Sequence, residues 1–310
     1  MKQLYHLCTT AHSEVLLRNI DDVRLMTNFM ALSALRNDTM HIADSQMSTH
    51  KHEIILSEDP HRYAKAQMIS ITKAFNSKYG RKGPLFDSKA YILPIYGPRH
   101  IQMAMTYVLR QGLHHGQTET AFAYPWSTCN CLFQEERGCT PERPLFSGSN
   151  DLRQVLPRNN SYPEHWQADK NGILLRSSFE ELTMAENWFG TARAYMYSML
   201  RKSSEEWLQE QQQDTGDEPI ITLDRLEEGY SAEEISEMLY FEGNPKYVTK
   251  PIKDMELCTL IDNNMLGRYG AHSVYQLSRK QKWAIADELK HDLGITNEKQ
   301  LSRCLVLNYD

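Results

Sequence analysis

The chain has 310 residues, 41% of them hydrophobic and 24% charged, with a formal net charge of −6. That length allows two or three domains, and the apolar share is enough for real cores. No run of eighteen apolar residues occurs, so no transmembrane helix is expected, and residues 1–6 do not lead into the apolar stretch of a secretory leader.

In chain order, residues 21–36 read as a helix, because Val23, Met26, Phe29, Met30 and Leu35 form an apolar stripe. Residues 40–42 read as a short strand. The stretch 46–56 ends in the β-branched run Ile54-Ile55-Leu56 and reads as the next strand. Side chains alternate along a strand, so His50 and His52 share one face and Lys51 points to the other. Two imidazoles so placed can hold one divalent cation and leave positions open for substrate. The alternative is a pair of partly exposed strand histidines. Residues 60–77 read as a second helix through Tyr63, Ala66, Met68, Ile69 and Phe75. Residues 91–96 are strand-like and stop at Gly97-Pro98. In residues 99–112 the apolar positions Ile101, Met105, Val108 and Leu109 recur at helical spacing, and Gly112 is a natural stop. On that helix Tyr107 and Gln111 lie one turn apart. A phenol beside an amide oxygen, facing two strand histidines, suits attack on a phosphodiester with metal assistance.

Helices and strands mix here without regular alternation, which argues for an α+β fold. Charge is unevenly spread. Between Arg62 and Arg110, the cations Lys65, Lys73, Lys78, Arg81, Lys82, Lys89 and Arg99 face a single acid, Asp87. Residues 203–242 invert this, with thirteen Asp and Glu against Arg225. A basic module interleaved with Phe75, Tyr79, Phe86, Tyr91 and Tyr96 suits single-stranded DNA, where cations track phosphates and rings stack on bases. The alternative is a solvated helix face plus core aromatics.

Residues 1–130 resemble the single-tyrosine HUH transposases, in particular the REP-associated tyrosine transposases. The resemblance rests on six short stretches in order: Tyr5–Thr10, Leu17–Asp22, Met47-Ser48-Thr49-His50-Lys51-His52, Tyr79–Phe86, Thr106–Gln111 and Tyr124-Pro125-Trp126-Ser127. It implies a ferredoxin-like antiparallel sheet with helices on one face and the site on the other. It also implies Tyr107 as nucleophile, with His50, His52 and Gln111 holding Mg²⁺ or Mn²⁺. Two positions depart from the family pattern. Lys51 stands where an apolar residue is usual and would have to snorkel or pair. The Asn-Pro-Val stretch after the tyrosine is replaced by Leu109-Arg110-Gln111-Gly112-Leu113, which keeps an amide but leaves the helix end open.

From Thr140 to Gly172 the chain turns Pro-, Asn- and Ser-rich, and residues 131–172 read as a connector. The cysteines are Cys8, Cys129, Cys131, Cys139, Cys258 and Cys304. None forms C-x-x-C, so reduced thiols are expected rather than the zinc cluster that Cys129, Cys131 and Cys139 could build. Residues 173–245 form a helical, acidic region. It holds a core stripe of Met184, Trp188, Ala192, Tyr195 and Met199, and an acidic helix over 230–240. Residues 246–310 read as helices over 254–266 and 279–293 and a last one opened by Asn297, a helix-turn-helix pattern. In that reading Lys299, Gln300, Ser302 and Arg303 are exposed reading residues. The alternative is a packing or dimerisation module.

Taken together, the chain reads as a single-stranded DNA endonuclease and strand transferase that acts through a 5′-phosphotyrosine, on hairpin-bearing DNA. Lys73, Lys78, Arg81, Lys82, Lys89, Arg99, Arg110, Lys299, Gln300 and Arg303 are the expected DNA contacts. The implied partners are single-stranded or hairpin DNA and a second copy of the chain, with no membrane. The implied location is the bacterial cytoplasm, at the nucleoid. The alternatives are a domesticated protein that binds hairpin DNA without cleaving it, and a replication-initiator or relaxase-type nickase.

Overall fold

The structure is a computed structural model, and it describes residues 1–11, 13–86, 89–157, 161–200 and 252–307. The acidic helix expected over 230–240, the rest of the acidic run over 203–242 and Asp87 lie outside the described residues.

A four-stranded antiparallel sheet organises the N-terminal half. Its strands are β1 (Gln3–Thr10), β2 (Met40–Gln46), β3 (His50–Ser57) and β4 (Tyr91–Pro94), in spatial order β2-β3-β1-β4. Between them run α1 (Ile20–Arg36), α2 (Pro60–Tyr79) and α3 (Gly97–Leu109). The fold is therefore α+β. Local chemistry sets the helix ends. Asn19 caps α1 in a capping box with Asp22, and Asp59 caps α2 ahead of Pro60. Gly80 ends α2 at φ 65°, a left-handed position that favours glycine.

Both faces of the sheet are covered. Behind it, Leu7 and Ile55 pack with Ala34 of α1 and with Tyr63 and Ala64 of α2. In front, Ile42, Ala43, Ile54 and Leu93 pack under Ala104, Tyr107 and Val108 of α3. The same front cluster includes Phe189, Tyr195 and Met199. These belong to α5 (Leu182–Phe189) and α6 (Ala192–Leu200), beyond a single turn α4 (Gln111–His114). The expectation of helices on one face only is thus not met. The reason is that the Met- and aromatic-rich stripe of 182–200 finds its core on the front face of the sheet, where Tyr195 Oη donates to the Cys129 carbonyl at 2.5 Å. The stretch read from composition as a connector also packs. Leu152, Leu156, Tyr162 and Trp166 close against Ala31 and Leu32 of α1. All six cysteines are unpaired thiols.

Residues 252–307 form a helical unit around Leu257, Ile261, Ile285, Leu289, Leu301 and Leu305. Its helices are α7 (Asp254–Asn264), α8 (Arg279–Leu293) and α9 (Glu298–Leu305). Buried Arg18 docks it to the sheet unit. The guanidinium donates to the Cys304 carbonyl at 2.8 Å and pairs with Asp262 at 3.0 Å. Asp254 is the second anchor. Its carboxylate accepts from Ser48 Oγ at 2.7 Å, from Gln300 Nε2 at 2.9 Å and from Arg303 at 2.7 and 2.8 Å. Burial alone would raise the Asp254 carboxyl, but Arg303, with Ser48 and Gln300, holds it below its ordinary value. A depressed carboxyl stabilises above the unfolded value, near pH ~4, and that contribution is lost as pH falls through the folded value. Asp254→Asn is therefore expected to be less stable than wild type at neutral pH. Urea melts from pH 7 to pH 2 should show that gap closing at the acid end. Among the described residues no helix is long and apolar enough to cross a membrane.

Candidate active site

Strand register builds the site. His52 stands opposite Cys8, and His6 opposite Ile54, on the front face of β1 and β3. His6 and His52 are thus diagonal neighbours, close enough to touch across the strands. Their rings stack at 5.1 Å, with His6 Nε2 and His52 Nδ1 3.0 Å apart. His50 lies edge-on to His52 at 5.1 Å, and its Nδ1 is 3.1 Å from Thr49 Oγ1.

α3 lays Tyr107 across this pair. The phenol ring meets His52 edge-on at 5.3 Å and His6 at 5.9 Å. The helix stops at Leu109, and Arg110 at φ −96°, ψ 6° separates it from α4. Gln111 therefore opens a new turn instead of continuing the tyrosine helix. Its Nε2 donates back to the Tyr107 carbonyl at 3.3 Å. Its Oε1 lies 2.9 Å from His115 Nε2, and the His115 ring is 4.8 Å from that of His50. His114 approaches Tyr107 at 6.0 Å. The four residues expected at the site, Tyr107, His50, His52 and Gln111, are thus brought together.

Three further histidines join them: His6, His114 and His115. For His6 a signal existed, because it alternates with Cys8 on a strand whose neighbour carries His50 and His52. For His115 the signal was its spacing of four from Gln111.

Three of the imidazoles, those of His6, His52 and His115, are held neutral. Burial lowers His6 to about 4, against a smaller opposing pull from Glu53. Burial and then His114 lower His115 to about 3. Burial, reinforced by the neighbouring histidines, puts His52 well below its ordinary value. Neutral imidazole is the form that ligates metals. The Nδ1 atoms of His50 and His52 already have hydrogen-bonding neighbours, the arrangement that orients Nε2 toward a cation. The donor chemistry therefore fits a divalent ion. Among the described residues no group of three His, Cys, Asp or Glu side chains is placed to hold one. The Gln111 amide oxygen, which is engaged by His115, is the oxygen donor that could join the two β3 imidazoles on a cation. The cluster is also enclosed: Tyr107 is 5% exposed, His50 1%, and His52 and Gln111 are fully buried.

Behind the same strand, Lys51 does not snorkel. It is fully buried and pairs with Glu53 at 2.6 Å and with the Gln67 amide oxygen. Glu53 also accepts from Tyr63 Oη at 2.5 Å and from Gln67 Nε2 at 3.0 Å, and lies 3.2 Å from His41 Nε2.

The expected DNA contacts divide. Lys73, Lys82, Lys89 and Lys299 are exposed and Arg99 is half-buried. Lys78 is exposed but ion-paired with Asp22 at 2.6 Å. Others serve the interior instead. Arg81 is held by Glu14, Asn76 and the Gly83 carbonyl, and Arg110 is buried. Gln300 and Arg303 are not surface reading residues: Asp254 holds both inside the unit. The α7 carboxylate lies far upstream in sequence, so helix periodicity alone could not reveal it.

Gly112 belongs to the site's framework. A Cβ there would stand 2.3 Å from the Tyr124 ring. Tyr124 in turn donates to the Gln46 carbonyl at 2.6 Å. Gly112→Ala is expected to cost about 1–3 kcal/mol by overpacking, measured by urea denaturation against wild type.

No family model and no curated protein matches the chain. Among solved structures it is similar to a REP-associated tyrosine transposase bound to a REP hairpin. That likeness has 15% identity and a TM-score of 0.37, over 46% of this chain and 84% of the other. It is also similar to a candidate transposase from Deinococcus radiodurans R1, at 17% identity and a TM-score of 0.27, over 36% of this chain and 92% of the other. Both scores are too low to establish a shared fold.

Proposed function

We propose that the chain is a single-stranded-DNA strand transferase of the HUH type, acting through Tyr107 on DNA that carries a hairpin. The observation that carries this reading is the edge-on contact of Tyr107 with His52, in one buried cluster with His50 and Gln111. The β-α-β-β-α-β order and the antiparallel strand order β2-β3-β1-β4 support it, since a ferredoxin-like sheet of the kind the resemblance implies would have this order. Tyr107 Oη attacks the scissile phosphorus and loses its proton. The bond to the 3′-oxygen breaks, and that oxygen takes up a proton and leaves as a hydroxyl. The 5′-phosphotyrosine keeps the bond's energy for rejoining, so no nucleotide cofactor is needed. A divalent cation held by His50, His52 and Gln111 would polarise a phosphate oxygen and offset its charge. Imidazole donors suit Mn²⁺ better than Mg²⁺, which prefers oxygen.

The test is incubation of the protein with labelled hairpin oligonucleotides, followed by a denaturing gel. Cleavage is expected with Mn²⁺, more weakly with Mg²⁺, and is expected to be lost in His50→Ala and His52→Ala. Gln111→Ala should be milder and recover with more Mn²⁺, because an amide is the weakest of the three donors. Equal cleavage with and without chelator would end the metal-assisted reading.

One observation favours a second reading, a hairpin-DNA-binding protein that does not cleave. Tyr107 is almost fully enclosed and the Gln111 amide oxygen is engaged by His115. In that case hairpins bind, no adduct forms with any metal, and His50→Ala leaves affinity unchanged.

A further inference from the structure

A cavity of about 580 Å³ lies between the sheet unit and the C-terminal helical unit. Two of its lining residues tie it to the site. Ser48 sits in the turn that leads into His50, and Gln117 follows His115 by two residues. Its walls differ. One is aromatic, with Tyr124 and Trp126 held by backbone: the Trp126 carbonyl accepts from the Gln46 amide at 2.8 Å, and Ser127 bridges Ser45. These rings are therefore fixed relative to β2. The other wall is a face of α7, where Glu256, Thr259 and Asn263 recur at helical spacing and are all exposed.

The charge of the lining decides the ligand class. Among the described residues that line the cavity, Lys253 is the one cation, against Asp254 and Glu256. A phosphate gains little there. A neutral, planar, hydrogen-bonding group gains most: rings to stack on, and hydroxyl, amide and carboxylate groups to meet its edge. The volume is in the range of small-molecule sites and exceeds what one base needs.

We propose that this cavity takes one unstacked nucleobase of the single strand beside the scissile phosphate, stacked on Trp126 and met on its edge by Thr259 and Asn263. The proposal rests on the strand-transferase reading above and names a part of its substrate. It also gives the C-terminal unit a role in reading DNA through α7, in place of α9.

The test is an abasic scan. Fluorescein-labelled hairpin oligonucleotides, each with one abasic nucleotide along the single-stranded flank, are titrated with the full chain and with Trp126→Leu, Thr259→Ala and Asn263→Ala. The last two change exposed helix positions and leave the fold intact. One flank position is expected to weaken wild type about tenfold when abasic, in the range of stacking on one aromatic ring. That loss should vanish in Trp126→Leu and shrink in Asn263→Ala and Thr259→Ala. Equal losses in wild type and all variants at every position would overturn the pocket. If the Tyr107 adduct still forms, the strand-transferase reading survives that result. A chain that binds no oligonucleotide overturns both. A Trp126→Leu variant that alters sedimentation and not DNA affinity would assign the cavity to a second copy of the chain and likewise overturn the proposal.

Discussion

Tyr107→Phe is expected to abolish the covalent DNA adduct and leave hairpin binding within about threefold of wild type. The substitution removes one oxygen. The ring still fills its place against His52 and His6, at 5.3 and 5.9 Å, so the buried cluster should not collapse. The exposed cations Lys73, Lys82 and Lys89 are untouched. Loss of adduct with retained binding separates chemistry from recognition. It is checked by a denaturing gel for the adduct and by fluorescence anisotropy for affinity. An adduct that persists would mean that another tyrosine is the nucleophile, with Tyr91 and Tyr96 next in line.

The second large effect is on stability. Glu53→Gln keeps the shape of the side chain but removes the counter-charge of Lys51, which has no exposure. An ammonium left in the interior must lose its proton or draw in water, and breaking such a buried pair costs about 3–5 kcal/mol. Burial already lowers the Lys51 ammonium, and the nearby Glu53 charge works against that lowering. The partner test is Lys51→Met in the Glu53→Gln background. It removes the stranded charge, so it should return most of the loss, a coupling readable in a double-mutant cycle. Urea denaturation of the four proteins measures it. Additive losses would mean that the lysine and the glutamate act independently.

This charge pair also marks where sequence reading stops. The alternation of His50 and His52 along β3 and the stripe on α3 come from local periodicity, and both elements were legible. The far side of β3 was not. Lys51 looked like an intrusion into an apolar position because its partners come from elsewhere: Glu53 by alternation, Gln67 and Tyr63 from α2. Even Glu180, over a hundred residues on, reaches this layer, with its carboxylate 3.4 Å from His41 Nδ1. Composition misread residues 131–172 for a similar reason. Proline and asparagine mark turns, but Leu152, Leu156 and Trp166 between them pack on α1, a contact no local pattern announces. At the C-terminus the helices were legible and the exposed face was not. A charged residue on a helix reads as surface unless its partner is known, and the partner of Arg303 is Asp254, on another helix.

The central claim is that Tyr107 attacks DNA while facing the histidines of β3. Its most direct test is to let wild-type protein react with a hairpin oligonucleotide and Mn²⁺, digest both components, and sequence the nucleotide-bearing peptide by mass spectrometry. The account predicts a single modified peptide, with a 5′-nucleotide phosphate on Tyr107. A modified tyrosine elsewhere, or no modified peptide under conditions in which the hairpin is bound, would contradict it.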